Sequence, residues 1–229
     1  MSSPDGSVAA DATAGFRFGA VLILSFAIVV FLIAAPSGDW SRAVALTLEF
    51  AALLVVVATS RARRDIRRTR ATAVGILAVA SVLLTAVGVL GPPEVFALAA
   101  ILSLAIPALL IGGVVRLFRT RGVTVQTVAG ALAIYLLVGL LFATVISFTA
   151  AVIDHPYFSS GTDGTQSERV YFSFTVLTTT GFGDFTPGIP FGRALAVVEM
   201  LTGQLYLVTV IGLLVGNIAS RRRDEGLDG

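Results

Sequence analysis

The sequence predicts an all-α membrane protein of six transmembrane helices, with a short re-entrant helix and a glycine-rich loop between the fifth and sixth. Three observations predict it. The 229 residues are 56% hydrophobic and only 13% charged, against about 25% charged in an ordinary soluble domain, and the mean hydropathy is +0.92. The charges leave long apolar runs: Arg17 to Asp39, Arg70 to Glu94, Glu94 to Arg116, Arg121 to Asp154 and Glu199 to Arg221 each enclose 21 residues or more. About 20 apolar residues cross a bilayer. Finally, the stretch 154–190 is too long and too patterned for a plain connecting loop.

Composition also excludes several functions. A formal charge of +2 gives little basis for nucleic-acid binding. There is no cysteine and a single histidine, His155, which removes disulfides, thiolate chemistry and histidine metal clusters. No nucleophile–base pair or phosphate loop is present, so neither an enzyme, a cofactor nor a small-molecule substrate is expected. All basic residues are arginine, which fits codon usage in a GC-rich genome.

The elements follow in order. Residues 1–14 are small, polar and slightly acidic, and lack the basic start and cleavage site of a signal peptide; they read as a disordered tail, with the first helix retained. Spans are expected at 16–36, 40–60, 71–91, 94–117, 124–152 and 191–219. The second is interrupted only by Arg42 and Glu49. Arginine placement sets the orientation. Arg61, Arg63, Arg64, Arg67, Arg68 and Arg70 crowd the loop after the second span. Arg17, Arg116, Arg119, Arg121 and Arg221 to Arg223 fall on the same side, and only Arg42, Arg169 and Arg193 on the other. Both termini are therefore expected in the cytoplasm of a prokaryotic cell, across its plasma membrane. The 61–70 cluster is expected to contact anionic lipid. The chain divides into a tail (1–14), a four-helix domain (15–121), a second membrane domain (122–220) and a basic tail (221–229).

Within the second domain, Thr165-Gln-Ser-Glu168 is a capping-box pattern opening a helix. Residues 169–178 continue it for about three turns, too short to span. TTTGFGDFTP follows at 178–187. A dehydrated cation in a membrane needs oxygens in place of its water. Consecutive backbone carbonyls supply them if they turn toward one axis, which demands backbone angles that glycine adopts without steric cost. Gly181 and Gly183 meet that demand. Phe182 would point away from the axis and pack the strand in place, and the Thr179 hydroxyl adds an oxygen. One such strand cannot enclose an ion, so several copies must meet around an axis.

TTTGFGD is similar to TTVGYGD, the filter signature of potassium channels. The resemblance continues through FGRALAVVEMLTG, which resembles the channel inner helix, and covers about 100 residues from the fifth span to the tail. It implies a homotetramer with one central pore. It assigns the K+ selectivity filter to Thr179, Thr180, Gly181, Phe182 and Gly183, with K+ lined by the carbonyls of Thr179 to Phe182. Asp184 would stand behind the outer mouth, and Gly203 matches the hinge glycine. Phe182 and Thr180 depart from the commonest pattern, which has tyrosine and valine there. The first loses a hydroxyl hydrogen bond and leaves filter rigidity open.

Helical spacing from Gln204 reaches Leu207 or Val208, Ile211, Val215 and Ala219, the expected cavity lining, with an apolar gate at Ile211 or Val215; part of this stripe could instead face the fifth span. Gly203, Gly212 and Gly216 are either flex points or close-packing sites. Glu199 lies one turn outward of Gly203. Its expected place is near the inner end of the pore helix, bonded to Thr175 or Thr178 and steadying the filter; the alternative is a protonated, structurally satisfied side chain with no effect on permeation. Glu49 is either a remnant countercharge or a bundle pairing. The fourth span, EVFALAAILSLAIPALLIGGVVRLF, carries no basic residue before Arg116. Voltage sensing needs charges that move in the field, each worth about 2.3 kcal/mol per 100 mV, so steep voltage dependence is not expected. The expected function is K+ conduction. A non-selective cation channel and a non-conducting scaffold subunit are the competing readings.

Overall fold

The computed structural model describes residues 5–34 and 123–212, with single positions between 44 and 119 and at 214 and 216. The third predicted span, most of the second and fourth, Glu49, the 61–70 arginine cluster, Val215, Ala219 and the C-terminal tail lie outside the described residues. Four helices and no β-strand occur among those described: α1 (Asp5–Ala34), α2 (Val125–Val152), α3 (Gln166–Leu177) and α4 (Pro190–Tyr206). Val125–Val152 and Pro190–Val210 are long and apolar enough to cross a membrane.

One boundary corrects the sequence reading. Helix α1 starts at Asp5, so most of the expected disordered tail is helical. The reason is local: Ala9, Ala10, Ala12 and Ala14 are the strongest helix formers, and Asp5 sits where an acidic group complements the helix dipole.

Helix α2 opens with a reciprocal cap. The Thr127 amide donates to Thr124 Oγ1 at 3.2 Å and the Thr124 amide to Thr127 Oγ1 at 3.4 Å. Its interior hydroxyls are satisfied within the helix: Thr144, Ser147 and Thr149 donate to the carbonyls of Leu140, Ala143 and Val145, a pattern that lets polar residues sit in an apolar segment. Helix α3 has the expected capping box, with the Thr165 amide 2.6 Å from Glu168 Oε2 and the Glu168 amide 3.2 Å from Thr165 Oγ1. Pro190 occupies the first turn of α4, where a missing N–H costs nothing.

The predicted sixth span is not one regular helix. After Tyr206 a π turn covers Leu207–Ile211. The run Val208-Thr209-Val210-Ile211 is β-branched throughout, which crowds a regular helix. The Thr209 hydroxyl donates back to the Leu205 carbonyl, an interaction that bends helices.

The core has two parts. Val21, Ile28 and Leu32 of α1 pack on Ile134, Leu137 and Leu140 of α2, joined by Val170 of α3 and by Leu110 and Val114 of the fourth predicted span. The α1 end is pinned to α3, where the Ser167 hydroxyl donates to the Ile33 carbonyl. The second part is aromatic. Tyr157, Phe158 and Phe172 meet edge to face at centroid distances of 5.1–6.4 Å, the favoured geometry for ring pairs. The Phe158–Pro187 bridge ties the segment before α3 to the one after it, through Ser159 N to Thr186 O at 2.9 Å and Gly188 N to Tyr157 O at 2.8 Å.

Candidate functional site

Helix α3 ends at Leu177, and the 178–184 loop turns back along it. The loop's first amides point at the helix. Thr178 N donates to Phe174 O (3.1 Å), Thr179 N to Val176 O (2.9 Å), and Thr180 N and Gly181 N both reach Thr175 O at 2.9 and 3.1 Å. These bonds satisfy carbonyls that a helix C-terminus leaves unpaired. Amides that point to α3 leave the opposite side of the loop to carbonyls.

Backbone angles reinforce this. Thr179, Gly181 and Gly183 have φ of +57°, +50° and +83°, whereas Thr180 and Phe182 between them do not have positive φ. Such alternation of hand turns successive peptide planes so that their carbonyls face the same side. Glycine adopts the left-handed region freely. Thr179 does not: a β-branched residue there is an outlier, a strain of the kind that persists where surrounding structure imposes it. Here the Thr178 and Thr180 amide bonds on either side of it impose it.

The hydroxyls fix a direction as well. Thr178 Oγ1 donates to Phe174 O at 2.7 Å, which uses its one hydrogen. At the 2.9 Å contact between the two hydroxyls, Thr180 is therefore the donor. The threonine that stands where valine is commonest thus adds a tie behind the loop. Thr175 Oγ1 bonds the Phe172 carbonyl, so its contribution to the loop is made by its own carbonyl. Phe182 is 70% exposed, yet one face stacks on Tyr171 at 6.3 Å with the rings 4° from parallel. Tyr171 also meets Phe185 edge to face at 6.2 Å, which packs the outer end of the loop against α3.

In the first turn of α3, Arg169 is buried. Its Nε donates to Ser147 Oγ at 2.9 Å and its Nη1 to the Asp163 and Gly164 carbonyls at 3.1 and 2.6 Å. It clamps the segment before α3 to α2. Tyr157 is fully buried, and its hydroxyl has no partner among the described residues; burial pushes that phenol's pKa up.

Helix α4 packs on α3 through Ala196, Glu199 and Gly203, and Gly192 on the same face meets Tyr157 ahead of α3; the four are spaced as one helix face. One sequence expectation is corrected here. Glu199 does not reach Thr175 or Thr178: its Oε1 lies 2.5 Å from Ser173 Oγ, in the middle of α3, because the inner end of that helix is taken by Gly203. A Cβ on Gly203 would lie 2.1 Å from the Leu177 carbonyl oxygen. Gly203 is thus a close-packing residue here, and the irregular backbone comes a turn later, at Leu207–Ile211. The Tyr135 hydroxyl donates to the same Leu177 oxygen at 3.2 Å, and Tyr206 donates to the Ala131 carbonyl at 2.6 Å, tying α4 to α2.

The opposite face of α4 and the π turn carries Val197, Leu201, Leu205 and Val208, all at least half exposed in the single chain, together with exposed Gln204 and Leu207. The loop and this apolar face lie open together. Ile211 belongs to the π turn, and its side chain lies outside the described ones. Sequence reasoning missed Ser173, Gly139, Tyr135 and Tyr171. The stripe at 192, 196, 199 and 203 was readable from its period; the partners across helices were not.

Residues 134–219 match the family model described as "Ion channel". A curated relative, "Probable potassium channel protein 2" of Methanocaldococcus jannaschii, is 32% identical over 87 residues, which is 38% of this chain and 25% of the relative. The chain thus matches about a quarter of that relative's length. No solved structure matches it. The family match takes in α3, the 178–184 loop and α4. With the two helices long and apolar enough to cross a membrane, the family match fits a membrane protein.

Proposed function

We propose that this chain is one subunit of a potassium-selective channel, in which four copies bring their 178–183 loops around a common axis. The observation that carries the reading is the alternation of left-handed φ at Thr179, Gly181 and Gly183, with the loop amides tied back to α3. That combination leaves a row of carbonyls on the free side, the arrangement that replaces the hydration shell of K+. The binding groups are the carbonyls of Thr179, Thr180, Gly181 and Phe182 and the Thr179 hydroxyl. Asp184 stands behind the outer mouth. The apolar face of α4, open in one chain, is then covered by neighbouring subunits and in part lines the cavity at Gln204 and Leu207. The relative's printed name, a potassium channel, supports the choice of ion.

In this reading the chain has six spans with both termini cytoplasmic, in a prokaryotic plasma membrane. It needs no cofactor, its 61–70 arginines contact anionic lipid, and a fourth span without basic residues before Arg116 leaves it without steep voltage gating. The test is the reversal potential of the purified protein in a planar bilayer, with potassium on one side and sodium on the other. A reversal close to the potassium equilibrium potential is expected. A reversal near zero would establish a non-selective cation pore, and the lack of any current a non-conducting subunit.

A further inference from the structure

The buried contact between α3 and α4 contains more oxygen atoms than an ionised carboxylate allows. Ser173 Oγ lies 2.8 Å from the Gly139 carbonyl of α2 and 2.5 Å from Glu199 Oε1 of α4. Ser173 and Glu199 are both fully buried. A serine hydroxyl has one hydrogen to give, and both neighbours of this one are oxygen. Were Glu199 ionised, Ser173 would donate to it and the Gly139 oxygen would face a lone pair at hydrogen-bond distance. The second carboxylate oxygen, Oε2, would also lie buried with no partner among the described residues, leaving a charge without compensation, which is among the costliest states in a protein interior. If Glu199 carries a proton on Oε1, every hydrogen is used: Oε1–H donates to Ser173 Oγ, and Ser173 Oγ–H donates to Gly139 O. Oε2 is then a neutral carbonyl oxygen, far cheaper to leave unmatched. The titratable groups facing Glu199 from the packed elements are the phenols of Tyr135 on α2 and Tyr157 before α3.

We propose that Glu199 is a neutral carboxylic acid whose proton drives a one-way relay, Glu199 to Ser173 to Gly139, and that this relay positions α3, and with it the 178–183 loop, between α2 and α4. Glu199 is a positioning residue: what the site requires at 199 is a hydrogen-bond donor, not a charge. Gly139 fits this role from the other side, because a Cβ there would lie 2.7 Å from the Phe174 ring. Its lack of a side chain is what lets α3 come close enough for Ser173 to reach a backbone oxygen. The consequence for selectivity rests on the potassium-channel reading; the relay itself does not.

The test uses the full chain, reconstituted in lipid, as wild type, E199Q, E199L and S173A. Infrared difference spectra between wild type and E199Q should show the carbonyl stretch of a protonated carboxylic acid in the wild type. In S173A that band should remain but shift as its acceptor is lost. In bilayers, E199Q, which keeps a donor, should hold the K+/Na+ permeability ratio within about twofold of wild type. E199L should lower it by about tenfold, the scale of one buried hydrogen bond. A wild-type spectrum with a carboxylate and no acid band would overturn the proposal, as would an E199Q channel as impaired as E199L. If E199L does not assemble, the spectra of wild type and S173A still decide. Should the wild type prove non-selective, the reading of function fails, while the infrared bands judge the relay independently.

Discussion

Replacing Gly203 by alanine sets two accounts of this glycine against each other, and they differ in sign. The added Cβ would lie 2.1 Å from the Leu177 oxygen and 3.0 Å from its carbonyl carbon. An ordinary contact needs well over 3 Å, so the helices must separate by about an ångström. The obstacle is backbone, already bonded to the Tyr135 hydroxyl, and cannot swing aside as a side chain would. Overpacking of this kind costs about 1–3 kcal/mol, and a backbone clash this deep belongs at the upper end. Against it, alanine in a helix interior gains about 0.5–1 kcal/mol over glycine. The net loss is about 2 kcal/mol, or roughly 4–8 °C in melting temperature for a chain of this size. Thermal unfolding of the purified protein in detergent, followed by intrinsic fluorescence or by loss of the assembled form, measures it. If Gly203 served only as a hinge, G203A would stiffen a helix at no packing cost. A melting temperature unchanged or raised would therefore refute the close-packing account.

Two further outcomes follow from the loop. T180V removes the hydroxyl tie to Thr178 but leaves the Thr178–Phe174 bond and both amide bonds to Thr175 intact; it should cost no more than about 1 kcal/mol in thermal unfolding and leave the reversal potential unchanged. T179G should relieve about 1–2 kcal/mol of left-handed strain while losing an oxygen ligand, so the protein should melt higher yet bind K+ more weakly by titration calorimetry; tighter K+ binding would show that the hydroxyl is no ligand.

How far the site could be read from the chain differs by residue. The capping box at Thr165 and Glu168 was legible because it depends on residues three apart. The left-handed angles at Gly181 and Gly183 were legible because only glycine adopts them cheaply. The left-handed angle at Thr179 was not, since threonine alone predicts the opposite; it is imposed by amides reaching back to α3. The start of α1 was misread because alanines resemble a loose tail in polarity while favouring helix in propensity. Glu199 was recognised as a buried acid in need of a partner, but Ser173 could not be picked out from Thr175 and Thr178, which lie within a turn and a half of it and carry the same hydroxyl.

By itself, the sequence determined what depends on neighbours along the chain: apolar length, arginine asymmetry, helix caps, and the glycine-spaced loop after a short helix. These are local because hydrophobic period and backbone sterics act over a few residues. The tertiary structure alone decided the pairings between helices. Gly139 and Gly203 bring α2 and α4 against α3 closely enough that one serine hydroxyl spans both, and that a carbonyl at the end of α3 meets a tyrosine on one side and a glycine on the other. Such contacts depend on helix register to within an ångström, which is set by the summed packing of three helices and not by any segment of one.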